Sequence, residues 1–226
     1  MARVAVCVSG RIKNSQNAID FIRQLQEDYY TFVFMHFWEE NPRLKIQSWS
    51  KSDVDPLEEK RLRKAITHLK NVRFQQETFI SKEKQFEAYR KTIKEDAFFN
   101  RWDVGIISMY YSIKQADSLR QLHEESSGHK FDCVFRVRFD SKPQKRFRLA
   151  DYDLNSINIP NPEFDCGGIN DRFAFGNSKH MSVYSTVYDH IKKLSEINGY
   201  QPEVVLKHHL RLNEIVPIRP DFPVLT

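Results

Sequence analysis

The sequence predicts an α/β protein built around a mainly parallel mixed sheet with helices on both faces. Short apolar runs of strand length alternate along the chain with segments whose apolar residues recur every three or four positions. Such an alternation favours parallel strands joined by helical crossovers, which gives a three-layer sandwich. The 226 residues contain no internal repeat and no Pro/Gly/Ser-rich linker, so we predict a single domain over residues 1–226.

The first half of the chain contains three predicted strands, at residues 3–8, 31–38 and 72–76. The helix after the first strand begins near Asn14 or Ser15, either of which can cap it. Its apolar residues share one face: Ala18, Ile19, Ile22 and Leu25. A charged helix is expected over residues 55–70, because Pro56 suits the first helical position. Residues 82–100 are ambiguous and are predicted to be partly helical.

The second half opens with a long predicted helix over residues 104–125, which Gly128 can end. Its apolar residues recur at helical steps: Ile106, Met109, Ile113, Ala116, Leu119 and Leu122. Strands are predicted at residues 131–139, 155–160 and 172–176. Two further helices are expected, one spanning residues 181–194 and one running from Pro202 to about residue 213.

Polar residues stand at three of the predicted strand ends. They are Ser9, Gly10 and Arg11 after the first strand, His36 and Trp38 on the second, and Arg138 and Asp140 after "CVFRV". Ligands of parallel α/β sheets bind beyond the carboxyl ends of the strands, so we expect these residues to share one rim. The Ser9-Gly10-Arg11 turn either holds a nucleotide or phosphate or is an ordinary turn. It lacks the glycine patterns of a P-loop or a dinucleotide fingerprint.

The spacing Arg136-x-Arg138-x-Asp140 places two guanidinium groups and a carboxylate on one face of a strand. Charges there are costly unless they are paired or line a solvent-filled cleft. Two interpretations stay open. Either an internal Arg–Asp network closes the strand end, or Asp140 binds a divalent cation while an arginine binds a diphosphate.

The segment "CGGINDRFAFG" supplies a candidate base, Asp171, for a hydroxyl nucleophile. An Asx-type turn explains the same residues without any function. Of His208 and His209 only one can join a given site, because neighbouring helical residues point about 100° apart. Glu203 is explained by its place in the first turn of a helix. From the long helix, Tyr110 or Ser112 could reach the cleft.

Composition limits the classes of function. The formal net charge of +5 fits a phosphate-bearing ligand and gives only weak support for nucleic acid, because the basic residues are scattered among acids. Cys7, Cys133 and Cys166 suggest neither a zinc site nor a disulfide framework, which indicates reduced thiols. Apolar runs are too short for a signal peptide or a membrane span, so we expect a soluble cytoplasmic protein.

Several short motifs in a fixed order resemble a known family. They are "VAVCVSGRIKN", "FVFMHFW", "MYYSIKQADSL", "FDCVFRVRFD", "GGINDRFAFG" and "PEVVLKHHL". Over nearly the whole chain they resemble small GT-A-type glycosyltransferases of bacterial surface-polysaccharide loci and of large DNA viruses of algae. The resemblance implies a GT-A-like, Rossmann-like fold and, for a viral enzyme, a place in the host cytoplasm.

The resemblance implies a nucleoside-diphosphate sugar as donor and a hydroxyl of a glycan or glycoprotein as acceptor. It implies donor binding by Ser9, Gly10, Arg11, Arg136, Arg138 and Asp140. Asp140 matches the last acid of the family's Asp-x-Asp metal motif and would hold Mn or Mg, with or without His208 or His209. Arg138 stands where the first acid is expected, and it would partly replace the metal if none binds. Asp171 would be the base of an inverting reaction, with Glu203 the second choice, whereas a retaining enzyme would not need that base there.

Two other classes stay open. A nucleotide- or nucleic-acid-binding module without transferase activity fits the net charge and the 13% aromatic content. A nucleotidyltransferase is less favoured, because that class usually needs two or more clustered carboxylates for its metals, and the predicted rim offers Asp140 alone.

Overall fold

The computed structural model describes residues 1–39, 57–92, 103–160, 167–198 and 201–225. Its strands are β1 (Arg3–Gly10), β2 (Tyr30–Glu39), β3 (Val72–Thr78), β4 (Cys133–Val137), β5 (Lys142–Pro143), β6 (Phe173–Gly176) and β7 (Val224–Leu225). Its helices are α1 (Gln16–Asp28), α2 (Glu58–Ile66), α3 (Phe79–Arg90), α4 (Asp103–Ser127), α5 (Ser178–Ser185), α6 (Val187–Asn198) and α7 (Pro202–Leu212). The predicted start of a helix at Pro56 lies outside the described residues.

A five-stranded sheet in the order β3-β2-β1-β4-β6 forms the centre of the fold. The first four strands are parallel, and β6 runs antiparallel to β4. This confirms the predicted α/β class with a mainly parallel mixed sheet, and it is compatible with a Rossmann-like fold. The carboxyl ends of β1, β2 and β4 therefore lie side by side, which brings the turn after β1 next to the residues that follow β4.

The alternation of side chains along each strand creates two apolar layers. Val4, Val6 and Val8 pack with α1 and α2 on one face, whereas Ala5 and Cys7 pack with helices α3 to α7 on the other. The residues of β4 and its end that were predicted to share one face do so: Cys133, Phe135, Val137 and Phe139. The three-layer arrangement is thus confirmed.

Two of the predicted elements differ from the structure. Residues 155–160 are not a strand, because only Asn158 forms isolated bridges, to Phe175 and to Ile218. The predicted helix over residues 181–194 is two helices that meet at Thr186. The hydroxyl of Thr186 donates to the Val183 carbonyl oxygen at 2.8 Å, and such local bonds compete with helix continuation.

Helix α4 is more polar on its buried side than its sequence predicts. Ile106, Ile113 and Ala116 are buried as expected, but Leu122 is 59% exposed. Charged residues occupy the buried positions near its end: Asp117, Arg120 and Glu124. The periodicity of apolar residues therefore predicted the wrong buried face for the last turns of α4. These charged residues can be buried because they pair with one another.

The Arg120 guanidinium is the centre of this buried network. It donates to Asp117 at 2.6 Å, and its Nη1 lies 2.8 Å from a Glu124 carboxylate oxygen. It also donates to the hydroxyls of Ser178 at 2.8 Å and Ser182 at 2.7 Å, both on α5. These bonds join α4 to α5 on the same face of the sheet.

Two of the three cysteines lie within the described residues. Cys7 and Cys133 are free and buried, and burial raises the pKa of both thiols. Cys166 lies outside the described residues. Among the helices of the described ranges, none combines the length and apolarity that crossing a membrane requires.

Replacing Arg120 should destabilise the protein strongly. We expect Arg120→Met to lower the free energy of unfolding by about 3–5 kcal/mol, because Asp117 and Glu124 would lose their buried counter-charge. The matched control is Arg63→Met, which removes an exposed ion pair with Glu59 on α2 and should cost less than about 1 kcal/mol. Urea denaturation measures both, and equal losses would contradict a structural role for the network.

Candidate functional site

The turn after β1 approaches the side chain of Arg138 closely. Gly10 has φ +122°, a conformation that favours glycine, and a Cβ at this position would lie 3.4 Å from Cγ of Arg138. Ser9 before it is fully buried, and its hydroxyl has no hydrogen-bond partner. Arg11 after it is partly buried. The predicted neighbourhood of the β1 and β4 ends is therefore confirmed, with glycine needed for its backbone.

Arg138 and Asp140 form a bidentate ion pair at the end of β4. Nε of Arg138 lies 2.5 Å from Oδ1 of Asp140, and Nη2 lies 2.9 Å from Oδ2. The two side chains are 26% and 15% exposed, so solvent reaches both members of the pair. The backbone carbonyl of Asp140 also accepts a hydrogen bond from the Asn17 side chain at 3.1 Å. Of the two open interpretations, the internal Arg–Asp pair is the one that forms.

A divalent cation at Asp140 would compete with Arg138 for the carboxylate. Both carboxylate oxygens of Asp140 already accept from Arg138. Within the described ranges, no group of three His, Cys, Asp or Glu residues could hold a metal ion. His209 is turned elsewhere, because its Nε2 contacts the Val183 carbonyl oxygen at 2.8 Å. A cation at Asp140 would therefore have to displace Arg138.

Arg136 lies deeper in the same strand and is only 2% exposed. Its Nη1 donates to the carbonyl oxygens of Ser9 at 3.1 Å and Val137 at 2.6 Å, whereas its Nε and Nη2 have no partner in the part of the chain that the structure describes. Burial lowers the pKa of Arg136, and the nearby Tyr184 and Asp171 act in the opposite direction. The Arg136 side chain thus connects the ends of β1 and β4 through Nη1, and the edge formed by Nε and Nη2 is left for other contacts.

Asp171 lies in a loop that is pressed against the first turn of α7. A Cβ on Gly168 would overlap the backbone carbonyl group of Glu203, and the Ile169 N–H donates to the Glu203 carbonyl oxygen at 3.0 Å. The side chain of Asn170 accepts from the Arg172 N–H at 2.7 Å, which is the expected Asx-type turn. That turn uses Asn170 and leaves the neighbouring carboxylate of Asp171 available.

The Asp171 carboxylate is buried but is not consumed by a hydrogen bond. It is 4% exposed, and no donor from the part of the chain that the structure describes bonds to it. Burial and the charge of Asp171 raise the pKa of Glu203, while Arg172 and Arg138 lower it. Asp171 and Glu203 are therefore close neighbours, because the charge of Asp171 acts on the Glu203 carboxyl group.

Helices α4 and α5 also contribute to this region; Ser112 of α4 was a predicted candidate, whereas sequence patterns missed Tyr184 of α5. Both residues are fully buried, and neither hydroxyl bonds to any residue in the described ranges. Tyr110, the other predicted candidate on α4, donates to the Pro202 carbonyl oxygen at 2.7 Å and is used in packing. Tyr184 falls on an apolar helical face, where periodicity assigns it to the core, so its sequence carries no signal for a polar site.

Comparison with known proteins finds no matching family model and no significant match to a curated protein. The resemblance to glycosyltransferases therefore stays a prediction, and the chemistry has to be argued from the site.

A methyl group at position 168 should disturb this site. We expect Gly168→Ala to lower the free energy of unfolding by about 1–3 kcal/mol, because the added Cβ would overlap backbone atoms of Glu203. Gly105→Ala is the matched control, since a Cβ there meets nothing within 4 Å and lies in a helix, which favours alanine by up to about 1 kcal/mol. If thermal or urea unfolding shows both variants equally stable, Gly168 does not hold the loop against α7.

Proposed function

We propose that this protein is a glycosyltransferase with a GT-A-like fold that transfers a sugar from a nucleoside-diphosphate sugar to a hydroxyl of a glycan or glycoprotein. The observation that carries the proposal is the buried Asp171 carboxylate, which accepts no hydrogen bond from the described residues and is near enough to Arg136 at the end of β4 for their charges to interact. A base and cations on one rim are what displacement at an anomeric carbon requires.

The leaving nucleoside diphosphate develops negative charge, which the rim can stabilise. Gly10 lets the backbone come close to a phosphate, and the Arg138 guanidinium beside it supplies positive charge. Arg11 adds a second cation to the same turn. Because Arg138 is held by Asp140, its position is fixed before the donor binds, which is how preorganised charges lower a barrier.

Asp171 is the proposed base. It would take the proton of the acceptor hydroxyl as that oxygen attacks the anomeric carbon, while the bond to the diphosphate breaks and the electron pair leaves with the diphosphate. A carboxylate in this role gives inversion at the anomeric carbon. The charge of Asp171 interacts with that of its neighbour Glu203. Glu203 is the second choice for the base.

Mn or Mg stays a predicted cofactor. Nucleotide release measured with Mn and with a chelator decides whether a cation takes part. Activity that persists in chelator but is lost in Arg138→Met would assign the leaving-group charge to the guanidinium.

Replacing the base should remove transfer without removing binding. We expect Asp171→Asn to lower nucleotide release by about 10²–10⁴-fold, the usual contribution of a general base, with little change in donor affinity. The measurement is nucleoside diphosphate released from a panel of nucleotide sugars. Asp20→Asn, an exposed change on α1, should keep full activity.

Failure to release nucleotide from any donor would sink the transferase. Binding of nucleotides without turnover would then favour a nucleotide-binding module, and affinity for oligonucleotides that falls steeply with salt would favour a nucleic-acid-binding one. Release of pyrophosphate would indicate a nucleotidyltransferase.

A further inference from the structure

On the α4 face of the sheet, close to the carboxyl ends of the strands, lies a group of buried polar atoms that have no hydrogen-bond partner among residues 1–39, 57–92, 103–160, 167–198 and 201–225. It consists of Nε and Nη2 of Arg136, Nδ1 of His36, and the hydroxyl oxygens of Ser9, Ser112 and Tyr184. Most of these atoms are hydrogen-bond donors, or can be. Unpaired buried polar atoms are rare in folded proteins, so a cluster of them needs an explanation.

The members of this polar cluster come from adjoining elements. Ser9 is the register partner of His36, and its carbonyl oxygen is held by Arg136. Tyr184 lies near enough to Arg136 for their charges to interact. On β1, Cys7 interacts in the same way with Asp117 of α4. Ser9 lies two residues beyond Cys7 on β1, which is about 7 Å along the strand. It therefore faces α4 about one turn nearer the start of the helix than Asp117, and Ser112 lies there.

The unused edge of Arg136 has a specific shape. In Arg138, Nε and Nη2 hold the two oxygens of the Asp140 carboxylate. In Arg136 the same two nitrogens are the ones without partners, while Nη1 is engaged by carbonyl oxygens. Arg136 therefore keeps one complete bidentate edge, which matches a group with two adjacent anionic oxygens.

We propose that this edge of Arg136 binds the carboxylate of a uronic acid, so that the enzyme acts on a carboxylated sugar. The inference rests on the proposed function, and it names the substrate class of that site. The hydroxyls of Ser9, Ser112 and Tyr184, which bond to none of the described residues, are the proposed further donors to that carboxylate. Since the edge is shut from solvent in the unliganded chain, a carboxylate that reaches it is desolvated and is held by charge-assisted bonds.

The position of Arg136 favours a sugar carboxylate over the leaving diphosphate. In an inverting displacement the base and the leaving group stand on opposite sides of the anomeric carbon. Arg136 lies on β4 two residues before Arg138 and is 2% exposed, whereas the Arg138 side chain is 26% exposed. Its charge also interacts with Asp171 and Tyr184, so we assign it to the sugar and not to the diphosphate. Arg138 and Gly10 lie at the rim, where the diphosphate is proposed to bind.

The test compares acidic and neutral sugars of the same series. Calorimetry measures the affinity of the protein for UDP-glucuronate against UDP-glucose and for GDP-mannuronate against GDP-mannose, and nucleotide release is followed with each. Free glucuronate against glucose, with and without a neutral donor, separates a carboxylate on the acceptor from one on the donor. We expect at least one acidic member to bind about tenfold or more tightly than its neutral partner.

Arg136→Met should abolish this preference, whereas Arg148→Met, which removes an exposed arginine, should keep it. Arg136→Lys keeps the charge without the fork and serves if the methionine variant does not fold; it should also lose most of the preference. Equal affinity for acidic and neutral sugars in the wild-type protein overturns the inference, as does a preference that survives in Arg136→Met.

The two proposals fail in different ways. Turnover of neutral donors without any acid preference leaves the transferase standing and removes the carboxylate site. Binding of free uronate without release of nucleotide from any donor leaves the carboxylate site and removes the transferase.

Discussion

The buried guanidinium of Arg136 is the interaction on which the site depends. Its Nη1 donates to the carbonyl oxygens of Ser9, near the end of β1, and of Val137, the last residue of β4. These two strands carry the Gly10 turn and the Arg138–Asp140 pair. These two hydrogen bonds offset part of the cost of burying the guanidinium, and they fix both carbonyl oxygens.

Two buried arginines on the same side of the sheet show what distinguishes support from a binding site. Arg120 is surrounded by Asp117, Glu124 and two serine hydroxyls, and its charge is balanced within the chain. Nη1 of Arg136 donates to carbonyl oxygens, whereas its Nε and Nη2 bond to no other described residue. The first arrangement is complete without a ligand, whereas the second is completed by an anion.

The framework could be predicted because it follows local rules. Strand-length apolar runs gave the parallel sheet, and side-chain alternation put Phe135 and Val137 on one face. The site could be predicted only as a set of neighbours. Whether Asp140 pairs with Arg138 or stays open depends on side-chain torsions, which spacing does not determine. Leu122 was misplaced and Arg120 missed for a related reason, since a network of complementary charges makes polar residues compatible with a buried helix face.

The most direct test of this account is a crystal structure of the protein with a nucleoside-diphosphate sugar that cannot be hydrolysed. The account predicts the diphosphate at the Gly10 turn with its oxygens bonded to Arg138, and the anomeric carbon between the diphosphate and Asp171. A donor bound away from the ends of β1 and β4, or an Asp171 carboxylate paired with Arg136 and turned from the sugar, would contradict it.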